Sequence, residues 1–245
     1  MTAPPSLPGP SANLLIVGAE VLAAKVTDAN GPFLLAGLRA LGVGVRELRV
    51  VGDDVAAIAT AVHTLAAEAD FLITTGGIGP THDDVTLAGV AAALQLPLVP
   101  HAELGQPQMP LTAANRHLLQ VPAGTQIVWN EARTFPIVHI RNIFVLPGVP
   151  EFVRHCLPRL APLLGGRPFF GRALHLQVDE TEVAQLLTTL QAAFPDVAIG
   201  SYPRFDLDAP YRVRLTLDGR DAARVAAAYA ALCAEVPTAW LAANG

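Results

Sequence analysis

ITTGGIGPTHDDVT, residues 73–86, runs out of an apolar stretch into three glycines within four positions, then a proline and two adjacent aspartates. The residues before it, DFLITTGG (70–77), read as a buried strand, and TLAGVAAAL (86–94) after it reads as a helix. The segment is therefore a strand, a glycine loop and a helix in succession. The same unit recurs along the chain. NLLIVG (13–18) is a strand followed by a helix over about 30–41, and VGVRELRVVG (43–52) is a strand followed by a helix over 53–69 opened by two acids. IRNIFVLPG (140–148) reads as a fourth strand, and PEFVRHCLPRLAPLL (150–164) as a helix with proline in its first turn. Strands alternating with helices predict a mostly parallel sheet covered on both faces.

The rhythm breaks twice. Between residues 97 and 139, VPAGTQIVWNEARTFPIVHI suggests extended segments joined by turns, an insertion or antiparallel edge on the main sheet. HAELGQPQMPLTAANRHLL ahead of it can be placed no further than one short helix. GGRP (165–168) has the composition of a linker. After it the order becomes strand (172–178), helix (179–194), strand (197–203), strand (211–217) and helix (221–236), a β-α-β-β-α succession of the ferredoxin-like or KH-like kind without a GxxG turn. The expected organisation is a flexible tail over 1–12, an α/β domain over 13–166 and a small α+β domain over 169–245.

Composition narrows the function classes. Hydrophobic residues make up 52% and charged residues 15% of the 245, enough for a large core. A formal net charge of -5 argues against general nucleic-acid binding, which needs clustered Lys and Arg. The two cysteines, Cys156 and Cys233, form neither a disulfide framework nor a zinc pattern and are expected to be buried, reduced thiols. The proline-rich start lacks the basic region of a signal peptide, and the longest apolar run, 225–234, is far short of the roughly 18 residues a membrane span needs. A soluble, cytoplasmic protein with no membrane partner is expected.

Each parallel strand of the first domain ends in glycine followed by acid: Gly18 and Glu20, Gly52 and Asp53–Asp54, Gly76–Gly77–Gly79 and Asp83–Asp84, Gly148 and Glu151. In open α/β sheets, ligands bind at the carboxyl ends of the strands. Asp54 and Glu151 are accounted for as acids in a helix's first turn, and one of Asp83 and Asp84 is expected to cap the helix that follows. Capping leaves the second acid and the glycines unexplained. Glycines bring backbone NH groups close to a phosphate, and a helix N-terminus adds partial positive charge. Carboxylates beside a phosphate require a cation between them, and Mg²⁺-type ions are held by one or two carboxylates plus phosphate oxygens. A metal-bound phosphate or pyrophosphate answers both halves of the loop; a purely structural turn is the alternative. The loop is neither a Walker A motif nor a dinucleotide GxGxxG, and His82 reads as a solvated neighbour of the two acids.

TTGGIGPTHDDVT resembles the GGxGPTxDDxT signature of the CinA and molybdopterin-binding-like family. The opening LLIVGAEVLAAKVTDANGPFLLAGLRALGV, with Gly18–Glu20 and Thr27–Asn30, and the second glycine loop VLPGVPE (145–151) are also similar to that family. FPIVHIRNIFVLPGVPE (135–151) and GSYPRFDLDAPYRVRLTL (200–217) are similar to the molybdopterin-binding-like domain of eukaryotic FAD synthases. The resemblance spans about residues 13 to 236. It implies a three-layer α/β/α fold of the MoaB/MogA kind with a small α+β second domain, usually as a homodimer.

The resemblance further implies a divalent metal (Mg, Mn or Co) and a nucleotide or molybdopterin-type ligand. Some members hydrolyse the pyrophosphate of ADP-ribose or FAD; more distant ones bind and adenylylate molybdopterin. Their metal-site aspartate falls on Asp84. Some relatives carry Asp at the position of Ala19 and many a hydroxyl residue at that of Ala29, so this chain departs from them there. The expected site places the metal on Asp84, Asp83 and Asp53, with Asp84, Asp83 and Glu20 in catalysis. Gly76, Gly77, Gly79, Thr81, Gly148 and Asn30 contact the phosphates or nucleotide. In the second domain, Arg212 and Arg214 alternate onto one strand face that, with Tyr202 and Arg204, is expected to touch the distal half of a substrate held by the main domain or a dimer mate.

Overall fold

A computed structural model of the chain describes residues 9–104, 116–129, 136–206 and 208–242. Most of the stretch in which one short helix was expected, and Phe135 of the FAD-synthase-like segment, lie outside these residues; 3-10 turns at Ala102–Leu104 and Arg116–Leu119 flank the former. The chain divides into two compact units, Pro10–Gly166 and Arg167–Gly245.

In the first unit, β1 (Ser11–Val17), β2 (Gly44–Val51), β3 (Phe71–Thr75), β7 (Ile137–Ile140), β8 (Ile143–Leu146) and β6 (Gln126–Val128) form one sheet in the order β2-β1-β3-β8-β7-β6. The first four in that order run parallel, and β7 and β6 extend the edge antiparallel. The helices are α1 (Ala19–Leu22), α2 (Asn30–Ala40), α3 (Val55–Glu68), α4 (Thr86–Leu94) and α5 (Pro150–Leu164). A separate ribbon pairs β4 (Leu98–Pro100) with β5 (Gln120–Pro122). The segment expected as one strand over 140–148 is in fact split: Ile140 pairs with Ile143 around a turn in which Arg141 takes a left-handed φ of 53°, so β7 and β8 form a hairpin. The one-turn helix α1 was not expected either.

The layering follows from two-residue alternation along β1, which is buried at all seven positions. Leu14 joins Leu34 and Leu38 of α2 and Val153 and Leu160 of α5 on one side of the sheet. Leu15 and Val17 join Ile58, Val62 and Leu65 of α3 and Val90 of α4 on the other. This is the three-layer α/β/α arrangement. Register then brings the strand ends level: Val17 lies beside Val51, Ile16 beside Thr75, and Thr75 beside Leu146. Four glycine-bearing turns therefore leave the same edge of the sheet.

The second unit contains β9 (Phe170–Leu176), α6 (Glu180–Ala193), β10 (Ala198–Pro203), β11 (Val213–Gly219) and α7 (Ala222–Glu235), with an antiparallel sheet in the order β10-β11-β9. Val213, Leu215 and Leu217 of the central strand pack with Val183 and Leu190 of α6 and Val225, Ala228 and Leu232 of α7. Cys233 is exposed, against expectation, because the buried positions of α7 fall at 225, 228 and 232 and the next residue turns outward. Cys156 is buried in α5, and burial pushes its thiol above the ordinary value although Arg159 opposes the shift. No helix among the described residues is long and apolar enough to cross a membrane.

Candidate active site

A cavity of about 510 Å³ opens at the carboxyl ends of the parallel strands. Every residue marked as a candidate in the first unit lines it: Glu20, Asn30, Asp53, Gly148 and, from the loop, Gly76, Gly77, Gly79, Thr81, Asp83 and Asp84. Asp28 and Thr75, which sequence reasoning did not single out, line it too.

The loop is held by its own backbone. Gly76 and Gly77 have φ of 96° and 65°, a region side chains avoid. A Cβ on Gly76 would fall on the Val17 carbonyl oxygen, and one on Gly77 would fall on the Thr86 hydroxyl. These two glycines are thus required by the fold whether or not a phosphate approaches. Thr86 then pins the start of α4 to the loop: its hydroxyl donates to Gly76 O at 2.8 Å and its NH to Gly77 O at 2.9 Å. Gly148 packs against the same turn, since a Cβ there would sit 3.1 Å from the Gly76 Cα.

Neither Asp83 nor Asp84 caps α4. Val85 occupies that position, without a side-chain hydrogen bond. Asp84 instead closes the turn before it, accepting from Thr81 N at 2.7 Å and Thr81 Oγ1 at 2.5 Å, both on Oδ2. The start of α4 is tied to the loop by Thr86 instead of by either acid. Asp83 is more exposed, and its carboxyl is held below the ordinary value, first by the Thr81 hydroxyl and then by its own backbone NH. That hydroxyl has a single proton, which the geometry assigns to Asp84; Asp83 therefore gains from its proximity rather than from a full bond. His82 is fully solvated, its Nδ1 4.0 Å from Asp83 Oδ1.

The other acids are partly committed as well. Asp53 Oδ2 accepts from Ala19 N at 2.8 Å, which fixes α1 and with it Glu20 at the cavity rim. Asp28 Oδ1 accepts from Asn30 N at 2.9 Å and Gly31 N at 3.0 Å, so it organises the first turn of α2. Asp54 caps α3 by accepting from Ala57 N at 2.8 Å, and Glu151 sits in the first turn of α5 with Arg154 Nη1 4.0 Å away. Asn30, only 8% exposed, donates from Nδ2 to Gly148 O at 2.7 Å and to Thr75 Oγ1 at 3.2 Å. Thr75 passes its own proton to Pro147 O at 2.5 Å. Asn30 is thus a tie between two strand ends before it is anything else. Its partner lies 118 positions away, so no local pattern could have shown the bond.

The electrostatic balance is one-sided. Five acids (Glu20, Asp28, Asp53, Asp83 and Asp84) line the cavity, and none of the described lining residues is Lys, Arg or His. No group of three or more His, Cys, Asp or Glu among the described residues is arranged to hold a metal ion on its own. An ion that keeps waters and shares its coordination with a phosphate fits this donor set; a closed protein cage does not. Both Thr81 bonds fall on Asp84 Oδ2, which leaves Oδ1 as that residue's oxygen for a ligand.

In the second unit, Arg212 precedes β11, and its guanidinium is engaged with Asp179 Oδ1 at 3.0 Å. Arg214 is on β11 and exposed. The expected pairing of the two arginines on one free face therefore fails for Arg212.

Comparison with known proteins agrees with this architecture. Residues 13–166 match the family described as "Probable molybdopterin binding domain", and residues 168–244 match "FAD synthase, middle domain". A protein of Archaeoglobus fulgidus is 32% identical over 215 residues, covering 86% of this chain and 92% of its own. A "Probable FAD synthase" of Caenorhabditis elegans is 30% identical (85% of this chain, 46% of its own), and a "CinA-like protein" of Desulfosudis oleivorans is 34% identical (79% and 52%). The chain thus spans about half the length of the FAD synthase and CinA-like relatives. The crystal structure of CinA from Thermoplasma acidophilum superimposes with a TM-score of 0.58 at 27% identity, covering 63% of this chain and 97% of that one. Fold, loop sequence and family match converge: the chain belongs to the CinA-like molybdopterin-binding-domain family, and carries after that domain a unit of the kind found in the middle of FAD synthases.

Proposed function

We propose that the protein is a divalent-metal-dependent nucleotide pyrophosphatase that converts FAD, ADP-ribose or a related dinucleotide to AMP and the other mononucleotide. One observation carries the reading: a cavity at the strand ends is lined by a glycine loop, yet the charged residues among its described lining are all acids. A bare phosphate would be repelled there, whereas a phosphate bridged by a cation would be held from both sides. Asp84 through Oδ1 and the exposed Asp83 are the residues that would hold the ion, with Asp53 of the same cavity as a third acid. Bound there, a divalent ion supplies Lewis acidity toward the pyrophosphate and lowers the pKa of its water.

The chain's own residues do the rest. Backbone NH groups of the 77–79 loop and the N-terminal end of α4 orient the phosphates. Glu20, set at the rim by α1, takes the proton of the attacking water as a P–O–P bond is cleaved and AMP leaves. The test is incubation of the purified chain with FAD, ADP-ribose and ATP in Mg²⁺, Mn²⁺ or Co²⁺, with chromatography for AMP. AMP from FAD or ADP-ribose, abolished by EDTA, is the expected result; no AMP from either substrate with any of the ions would sink the proposal.

A second reading has its own observation. Asp28, Asp53 and Asp84 each spend an oxygen on backbone NH groups, and no three-residue metal cluster exists among the described residues. That pattern suits a protein that holds, or adenylylates, a molybdopterin-type or nucleotide ligand without hydrolysing it. Tight ligand binding without AMP release in the same experiment selects this reading.

A further inference from the structure

The helices of the second unit cover one face of its sheet, and the other face has a composition of its own. Arg214 of β11 is paired with Tyr202 of β10 on one side and with His175 of β9 on the other, so the three side chains form a row on the helix-free face. Strand spacing puts Tyr202 and His175 about 10 Å apart with Arg214 between them. His175 stacks on Tyr211, with ring centroids 4.3 Å apart and an interplanar angle of 22°. The Arg204 guanidinium carbon lies 5.3 Å from the Tyr211 centroid.

Tyr202 has an unusual posture. A Cβ on Gly200 would lie 2.9 Å from Tyr202 Cε2 and 3.0 Å from its Oη, so the ring lies down over the glycine rather than standing off the sheet. It is nevertheless 58% exposed, which leaves the upper face of the ring to solvent. The charges beside it are uncompensated. Arg212 and Arg224 of the same unit are matched by Asp179 and Asp196, whereas Arg204 and Arg214 have no carboxylate partner among the described residues. Asp218 shares the face of Arg214 by alternation but is four residues along the strand, roughly 13 Å away. A flat, solvent-facing ring next to unpaired guanidinium groups is suited to a planar ring that carries a phosphate: the ring stacks, and the phosphate takes the arginine.

We propose that this open sheet face is a binding site for a phosphorylated aromatic ring, a mononucleotide in chemical class, stacked on Tyr202 with its phosphate on Arg214. The site stands on the second unit alone and needs neither the cavity of the first unit nor a metal. Flavin mononucleotide is a suitable probe because stacking on tyrosine quenches its fluorescence. Titrated with the full chain in EDTA, it should be quenched saturably, with an affinity that falls as salt rises.

Tyr202→Ala and Arg214→Gln should each weaken binding about 10-fold or more, while Tyr202→Phe, which keeps the ring, should bind like the parent. Riboflavin, with the ring but no phosphate, should bind at least 10-fold more weakly. Asp84→Asn should leave the titration unchanged. Equal binding of riboflavin and the mononucleotide, or unaltered affinity in folded Tyr202→Ala, overturns the proposal. So does loss of quenching in Asp84→Asn, which would put the flavin in the first unit's cavity. Failure of AMP release has no bearing on any of these outcomes, so the two proposals stand or fall separately.

Discussion

Replacing Asp84 by asparagine and by alanine separates charge from architecture at the loop. In the structure Asp84 accepts two bonds from Thr81, at 2.7 and 2.5 Å, on a half-buried side chain. Bonds to a charged group are worth roughly 1.5–3 kcal/mol each when sheltered. The pair is solvent-accessible, which brings it into the range of an exposed helix cap, about 0.5–2 kcal/mol in total. Asparagine keeps one acceptor oxygen at nearly the same place, so Asp84→Asn should lose no more than about 1 kcal/mol. Asp84→Ala should lose up to about 2 kcal/mol. Urea unfolding followed by circular dichroism gives both values. Turnover should behave differently: both variants remove the charge that would face the proposed ion, and both should lose metal-dependent AMP release about 100-fold or more, equivalent to roughly 3 kcal/mol of transition-state stabilisation. A folded Asp84→Asn protein with full metal-dependent turnover would refute the placement of the ion. A loss above about 3 kcal/mol in Asp84→Asn would show instead that the carboxylate serves chiefly to hold the loop.

Further outcomes follow from neighbouring residues. Asn30→Ala removes the tie between Gly148 O and Thr75 from a nearly buried position and should cost about 2–3 kcal/mol in urea unfolding; a shift below 0.5 kcal/mol would show that the tie carries little. Gly77→Val should weaken nucleotide binding with or without metal, but its side chain also meets Thr86 at a positive φ, so a fall in thermal stability must accompany the loss; a weak binder with an unchanged melt would return the glycine to a purely ligand-facing role. Asp70, whose carboxyl is drawn below its ordinary 3.8 by the Ser11 hydroxyl and NH, gives a pH test. A depressed folded-state value means its stabilisation is complete above about pH 4 and is lost as acid carries the pH down through the folded-state value. Asp70→Asn should therefore flatten the acid limb of the stability curve; an unchanged limb would mean the Ser11 contact does not persist in solution.

The parts of the fold that could be read from the sequence are those set by local periodicity. Helices α2, α3, α4 and α5 begin and end within a residue or two of their expected limits, because apolar spacing, Asp54 as a cap and proline at the start of α5 are all local signals. The shared edge of glycine and acid could be read for the same reason. The turn at Arg141–Asn142 was missed: the left-handed φ falls on Arg141, an unusual residue for it, and there is no glycine to mark a hairpin between the apolar residues on either side. At the site, residue types were visible while their employment was not. Asp84 looks like a cap until its carboxylate is seen bonded back to Thr81, and Asn30 looks like a ligand-facing amide until its long-range partner is known. The bond from Ala19 N to Asp53 depends on which two loops meet, a property of topology, whereas Asp28 and Asp84 close turns two or three residues long, where residue type alone does not say which acid turns back on its own backbone.

The bonds from Thr86 to the carbonyls of Gly76 and Gly77 have an entropic meaning. Fixing the backbone of one loop residue costs about 1–2 kcal/mol of conformational entropy. A glycine loop left free in the unliganded protein would charge that cost against every ligand it captured, on the order of 4–8 kcal/mol over four residues. Here the first turn of a helix has already restrained it, through contacts on the side away from the cavity. The ordering is settled when the domain folds, so the carbonyls are turned toward Thr86 before any ligand arrives. A phosphate bound as proposed would meet a loop that does not have to close around it, so its capture would be set by diffusion and desolvation.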